Sequence, residues 1–296
     1  MNFEILVAPD WKDYSLLDSG NGQRLERFGN YTLIRPDPQI LWQPSQSQSV
    51  WDKADAVFQR AAEDKGKWVV KAEIPEKWLV KYKNLKFYCK LTPFKHTGVF
   101  PEQAGQWDFI VEQIGSRLSA QAGKEANILS LFAYTGVATL AASQAGAKVT
   151  QVDASSQAIS WAKENQQASG LEEKPIRWIL DDAVKFCQRE LKRGNRYDGI
   201  IMDPPIYGHG PKGETWDFDK SFPELMKICS QLLTAKPLFF LVNAYAISSS
   251  ALMLKNVLVD YLGGLKGEIN CGELALKQEN SERLLSTGIF ARWVAE

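Results

Sequence analysis

Residues 127–144 read NILSLFAYTGVATLAASQ, an apolar run, then Phe-Ala-Tyr-Thr-Gly, then a string of small helix formers. The run Asn127–Phe132 has strand character, and Val137–Gln144 has the spacing of a helix. A chain that passes from strand to helix through one glycine, Gly136, makes a tight turn of the kind that meets a ligand. Phe132 and Tyr134 stand where nucleotide-binding turns usually carry glycines.

The same alternation continues in both directions from this turn. Strands are expected at AKVTQVD (147–153), IRWIL (176–180), YDGIIMD (197–203) and PLFFLVN (237–243). Helices are expected at Ser156–Ser169, Ala183–Lys192, Phe222–Leu233 and Ala251–Leu262, with closing strands near Glu268–Ala275 and Gly288–Val294. Strand–helix alternation at this spacing predicts an α/β fold, a Rossmann-like parallel sheet covered on both faces, with ligands outside the carboxyl ends of its strands. Upstream, QWDFIVEQIGSRLSAQA (106–122) is spaced as an amphipathic helix.

The first 95 residues differ. They hold five of the ten tryptophans and short alternating runs such as YTLIRP, KWVVKAEIP and KFYCKLTPF, broken by Pro, Gly and Asn. This predicts two domains: a small β-rich accessory domain over residues 1–95 and a catalytic α/β domain over residues 96–296.

Composition narrows the chemistry. Lys+Arg and Asp+Glu both number 35, so a nucleic-acid partner must be held by a local basic patch and not by a global field. Cys89, Cys187, Cys229 and Cys271 have no paired spacing, which suggests reduced, cytoplasmic thiols and no zinc. The first twenty residues have neither a basic flank nor a long apolar core, so neither a signal peptide nor a membrane anchor is expected. His96 and His209 are the only histidines; His-based metal sites and Ser-His-Asp hydrolysis are poorly supplied, and no metal is expected. His209 lies in GHGPKGETW, a stretch expected to form a mobile lid or surface turn.

The alternation alone leaves a dinucleotide, a flavin or S-adenosylmethionine (SAM) open. Pyrophosphate must approach the first turn closely, and two aromatic rings obstruct it. The same rings suit a phosphate-free cofactor with apolar and cationic surface, and a sulfonium is attracted to an aromatic face. The second strand ends at Asp153, seventeen positions after Gly136, where a carboxylate accepts from ribose hydroxyls. At the third strand, Asp182 could accept from an adenine amino group and Ala183 could donate its backbone N–H. The fourth strand ends in Asp203-Pro204-Pro205-Ile206-Tyr207, a carboxylate on a rigid turn followed by an aromatic that could stack on a planar acceptor. Each residue also has a plainer reading: Asp153 as a helix cap, Phe132, Tyr134 and Tyr207 as packing, Asp203-Pro204-Pro205 as an ordinary loop.

TGVFPEQ (97–103), SLFAYTGVATLAAS with GAKVTQVDASSQAISWAKEN, DDAVKF and YDGIIMDPPIYG together resemble the class I SAM-dependent methyltransferases of the bacterial 23S ribosomal RNA group, over about residues 95–245. The resemblance implies a seven-stranded class I sheet with its last strand antiparallel. It implies SAM contacts at Phe132, Ala133, Tyr134, Gly136, Asp153, Ala154, Ser155, Asp182, Ala183 and Asp203. Phe100 and Gln103 join these if Thr97–Gln103 folds over the cofactor. An acceptor site at Asp203, Pro204, Pro205 and Tyr207 and an RNA substrate are also implied.

That group methylates cytosine C5 or guanine N7, and the C5 enzymes carry a Cys after the fifth strand. Here Asn243-Ala244-Tyr245 stands there, and no other cysteine is well placed. Pyrimidine C5 needs a thiol adduct at C6, whereas guanine N7 already has an in-plane lone pair. A mechanism without a Cys nucleophile is therefore expected, with Asn243 available to a purine edge. A protein or small-molecule methyltransferase, or a module that binds SAM or RNA without catalysis, stays open on the same residues.

Overall fold

The protein is described from a computed structural model covering residues 3–62, 65–120, 125–245 and 247–296. By its internal contacts the chain divides into two compact units. The larger takes the chain up to Leu6, Gly105–Leu274 and Thr287–Glu296; the smaller takes Val7–Ala104 and Ala275–Ser286. The division expected between residues 95 and 96 differs from this at both chain ends. The reason is strand pairing: β1 (Phe3–Val7) joins the large sheet, while Ala275–Ser286 packs with the smaller unit, where Leu16 bridges Gln278.

The smaller unit is β-rich, as its alternating sequence predicts. β2 (Tyr14–Gly20), β3 (Gln23–Phe28), β4 (Tyr31–Pro36), β5 (Ala56–Ala62) and β6 (Lys65–Val70) form a five-stranded sheet in that order. Asn21-Gly22 closes the β2–β3 hairpin with both residues at positive φ, the turn that suits the twist of paired strands. A short helix, α1 (Gln48–Trp51), puts Trp51 into a core with Leu25, Ile34 and Ala54. β7 (Trp78–Tyr82) and β8 (Leu85–Cys89) form a separate antiparallel hairpin. A single 3₁₀ turn, Pro101–Gln103, ends the unit.

In the larger unit α2 (Ala104–Ala120) buries Trp107, Ile110 and Ile114 at helical spacing; residues 121–122 of the expected helix lie outside the described residues. There follow β9 (Asn127–Leu131), α3 (Val137–Gln144), β10 (Lys148–Asp153), α4 (Ser156–Ala168), β11 (Ile176–Leu180), α5 (Ala183–Lys192) and β12 (Gly199–Met202). After a small hairpin, β13 (Tyr207–His209) and β14 (Thr215–Asp217), come α6 (Phe218–Leu232), β15 (Phe239–Ala244), α7 (Ala251–Leu262), β16 (Gly267–Lys277) and β17 (Leu284–Ala295).

The large sheet runs β1-β16-β17-β15-β12-β9-β10-β11. β15, β12, β9, β10 and β11 pair in parallel, and β17 is antiparallel to β15. Seven of these strands are the expected set; β1 makes an eighth at the edge beside β16. Every residue of β12 and β15 is buried, as central strands covered on both faces require. The chain leaves β9 toward β10 and β11, then returns to β12 on the other side of β9. The order therefore reverses between β9 and β12, and the crevice of such a sheet opens at their carboxyl ends.

GHGPKGETW forms a surface turn, of the two forms expected for it, at the tip of a hairpin: Tyr207, Gly208 and His209 pair with Asp217, Trp216 and Thr215, and the Gly210 N–H closes on the Glu214 carbonyl at 2.8 Å. α6 starts four residues before the expected Phe222. Asp217 caps it by accepting from the Lys220 N–H, and Pro223 lies within the helix instead of marking its start. Among the described residues no helix is long and apolar enough to cross a membrane.

Candidate active site

Met202 pairs with Leu131, so the residues that leave the two strands, Asp203 and Phe132, emerge side by side at the reversal of strand order. The Phe132–Gly136 turn is held in a costly shape. Phe132 and Tyr134 both adopt left-handed φ, 52° and 50°, a region that costs a non-glycine residue roughly 1–2 kcal/mol. Gly136 has φ of 80°, and a Cβ there would lie 2.8 Å from the Gln151 Oε1 and 2.9 Å from the Ala162 Cβ, so only glycine fits.

Hydrogen bonds from β10 and α4 fix this turn. The Tyr134 N–H donates to Asp153 Oδ2 at 2.8 Å. Gln151 Nε2 donates to the Tyr134 carbonyl at 3.1 Å, and Asn165 Nδ2 donates to the Thr135 carbonyl at 3.0 Å. Gln151 and Asn165 are fully buried. The rings of Phe132 and Tyr134 are half-buried, facing Trp216 at 4.7 Å and Trp161 at 6.0 Å. They are anchored to the protein on one side, so the packing reading of these aromatics holds in part.

Asp153 does not cap α4. Ser155 does, accepting from the Ala158 N–H at 3.2 Å. The Asp153 carboxylate instead accepts backbone N–H groups of Tyr134, Ser155 and Ala154, and burial nonetheless pushes its pKa up. An ionised carboxylate has about four lone-pair sites, so acceptor capacity remains. A half-buried, under-compensated carboxylate is matched by a ligand that brings hydroxyl donors. Asp182 does cap its helix, accepting from the Lys185 N–H at 2.9 Å, with Ala183 buried as the first helical residue.

Trp216 reaches the other side of the crevice as well. Its Nε1–H donates to the Pro205 carbonyl at 2.6 Å, while its ring meets Phe132; it is 4% exposed. One indole thus braces the Asp203-Pro204-Pro205 turn against the Phe132 turn. The Phe218 N–H bonds the Ile206 carbonyl at 2.8 Å and fixes the end of the same segment. Tyr207 stands 57% exposed, with His209 edge-on at 5.2 Å, so packing does not account for it. Lys185 and Glu214 pair at 2.8 Å and tie the start of α5 to the hairpin.

Phe100 and Gln103 belong to the smaller unit, where Phe100 meets His96 at 5.2 Å and Gln103 closes its 3₁₀ turn on the Phe100 carbonyl. Asn243 is 2% exposed, and its Oδ1 accepts from Gln106 Nε2 at 3.2 Å; its partner is interior, not a purine edge. All four cysteines are buried, Cys187 and Cys229 with sulfurs 3.9 Å apart, and burial raises the Cys89 and Cys229 thiols.

Known proteins share this fold. The family described as Conserved hypothetical protein 95 matches residues 110–212. A crystal structure of the SAM-dependent methyltransferase from Agrobacterium tumefaciens is 40% identical, covers 99% of this chain and 94% of that one, and superposes with a TM-score of 0.94. The chain belongs to the SAM-dependent methyltransferases, and S-adenosylmethionine is its methyl donor.

Ribosomal RNA large subunit methyltransferase K/L of Shewanella frigidimarina is 31% identical over 151 residues, half of this chain but 20% of that protein. The chain thus spans about a fifth of the length of the curated relatives it matches. A Streptococcus mutans protein assigned to the SAM-dependent methyltransferases has a TM-score of 0.72 at 16% identity, covering 98% of this chain and 76% of that one, a likeness of fold alone.

Proposed function

We propose that the protein methylates RNA, ribosomal RNA above all, at a base held over the Asp203-Pro204-Pro205 turn. The observation that carries this is the pairing of Leu131 with Met202, which sets the Phe132 turn and the Asp203 turn on one crevice, with Tyr207 exposed beside them. Support for ribosomal RNA comes from the name of the Shewanella relative, a ribosomal RNA large subunit methyltransferase, with which this chain is 31% identical over 151 residues.

When bound, SAM supplies an electrophilic methyl group on a sulfonium. Asp153 accepts from the ribose hydroxyls, and Ala154 and Ser155 shape the strand end around it. The Phe132–Gly136 turn, with Ala133 between its two aromatics, flanks the rest of the cofactor. Asp182 and the Ala183 N–H would hold the adenine. Displacement at a methyl carbon needs the acceptor lone pair in line, so the remaining task is positioning. Asp203 and the carbonyl of Pro204 hold N–H groups on the base edge, Tyr207 stacks on its face, and the two prolines keep the turn from yielding. Phe100 and Gln103 stand as further cofactor contacts on the family resemblance alone.

No cysteine takes part. A thiolate adduct needs an accessible thiol of lowered pKa, and all four thiols are buried. The reaction takes place in the cytoplasm, where ribosomal RNA is made accessible.

The test is product mapping. Incubation with labelled SAM and separated ribosomal RNA, protein and small-molecule pools should label the RNA. Nucleoside digestion should yield a methylated purine or another product, and the variant with all four cysteines replaced by Ser should keep its activity. Recovery of 5-methylcytosine, lost with any one cysteine, would restore the covalent mechanism. Label entering only protein or small molecules would reject RNA as substrate.

A further inference from the structure

Charge in this neutral chain is not evenly spread. Between residues 65 and 95 there are nine lysines against two glutamates, and between residues 77 and 90 five lysines and no acid at all. The latter stretch is the β7–β8 hairpin. Its two-residue periodicity sorts the side chains into two faces. Trp78, Val80, Tyr82, Leu85, Phe87 and Cys89 are buried on one. Lys77, Leu79, Lys81 and Lys86 are exposed on the other, with Tyr88 half-buried among them and Lys83 exposed at the turn.

Register concentrates the charge further. Lys81 stands directly opposite Lys86, and Leu79 opposite Tyr88. Like charges facing each other across a strand pair oppose folding, so local stability does not explain the arrangement. The Lys77 ammonium lies 4.3 Å from the centre of the Tyr88 ring and the Lys83 ammonium 5.4 Å from that of Tyr82. Asp13, on the neighbouring segment, accepts the Lys81 backbone N–H at 2.9 Å. The result is a cationic ribbon with an aromatic in its middle, complementary to a polyanion that also presents flat rings.

We propose that the outer face of the β7–β8 hairpin docks the sugar–phosphate backbone of the RNA substrate, with Lys81, Lys83 and Lys86 each meeting a phosphate and Tyr88 offering a ring to a base. This rests on the reading of the protein as an RNA methyltransferase. It gives the smaller unit a task and explains how a chain of zero net charge holds a polyanion.

The test measures binding of a fluorescent ribosomal RNA fragment to the full chain against salt concentration, for the parent and for K81Q/K83Q/K86Q. Three lost phosphate contacts should make the slope of log K against log salt shallower by about 2, at about 0.7 per contact on a single strand. Affinity at low salt should fall at least about tenfold, while SAM affinity by calorimetry stays at the parent's value and Tm does not fall, since the Lys81–Lys86 repulsion is relieved. K163Q/K174Q/K192Q, which removes the same charge from the larger unit, should lose far less. Parent-like slope and affinity in the hairpin variant, or an equal loss in the control variant, would overturn the docking surface while leaving RNA as substrate. A parent chain that neither binds nor methylates RNA would instead overturn the functional reading beneath it. Retention of the hairpin on anionic phosphatidylserine vesicles without retention on RNA would assign the face to a membrane and overturn the proposal.

Discussion

Asp198 and Asp203 stand just before and just after the four residues of β12, yet their surroundings share almost nothing. Asp198, at the amino end, is nearly buried. It takes Arg117 Nη2 at 3.1 Å, the Asn127 N–H at 2.9 Å and the Thr234 hydroxyl at 3.1 Å, and so pins α2, β9 and the segment after α6 together. Asp203, at the carboxyl end, begins a proline-stiffened turn beside strained aromatics and an exposed tyrosine. In a parallel sheet the amino ends of the strands are free to be closed by structural bonds, while the carboxyl ends open on the ligand crevice. The same residue type is therefore a rivet at one end and a binding group at the other. Strain accompanies the ligand end: Phe132 and Tyr134, non-glycine residues with positive φ, both follow the carboxyl end of β9.

The largest expected effect is at the structural end. Asp198→Ala leaves Arg117 buried without its counter-charge and should cost about 3–5 kcal/mol of unfolding free energy by denaturant titration. SAM affinity of the molecules that remain folded should not change. Next, Asp203→Ala should lower kcat by on the order of 100-fold, the usual consequence of a misplaced acceptor. It should leave Tm and SAM affinity close to the parent's. An exchange of these two phenotypes would end the contrast between the sheet's ends.

Asp153 gives an intermediate effect with a sign that can be checked. Burial raises its pKa, and ribose hydroxyls donate to the charged form, so SAM binding must expel a proton wherever the carboxyl is protonated. SAM affinity should accordingly fall as pH drops through the raised pKa of Asp153 and be constant above it. Asp153→Asn should flatten that dependence, and Asp153→Ala should weaken SAM by about 1.5–3 kcal/mol at neutral pH, both read by calorimetry. The smallest effect is expected at the brace. Trp216→Phe keeps the ring against Phe132 but removes the donor to Pro205, a loss of about 1 kcal/mol. Seen in steady-state kinetics, it should raise the acceptor KM several-fold and leave SAM affinity unchanged.

The helices α3, α5 and α7 and the strand β11 were legible because local signals agree: small or amphipathic periodicity in the helices, with Asp182 capping α5, and a β-branched or aromatic run in the strand. Asp153, Asp203 and Gly136 could be placed for the same reason, since each sits where a periodic segment stops. Trp216 could not. In GHGPKGETW it is one aromatic in a glycine-rich stretch, and its value lies in two partners, Phe132 and Pro205, distant in sequence. A tryptophan amid such polar residues was the available signal. Gln151 and Asn165 read as ordinary polar residues in a strand and a helix, and only tertiary structure turns them toward the carbonyls of the Phe132 turn. β1 was invisible for a related reason: its partner β16 comes some 260 positions later. α6 begins before the expected Phe222 because Asp217 caps it, and Pro223, in its second turn, does not interrupt it.

The most direct test of the account compares methyl transfer from labelled SAM to ribosomal RNA by the parent and by Asp203→Ala, with SAM affinity measured on the same preparations. Strong labelling by the parent, labelling reduced about 100-fold by the variant, and equal SAM affinities are the predicted result. Equal labelling by the two proteins would contradict it, because the acceptor would then be held somewhere other than the carboxyl end of β12.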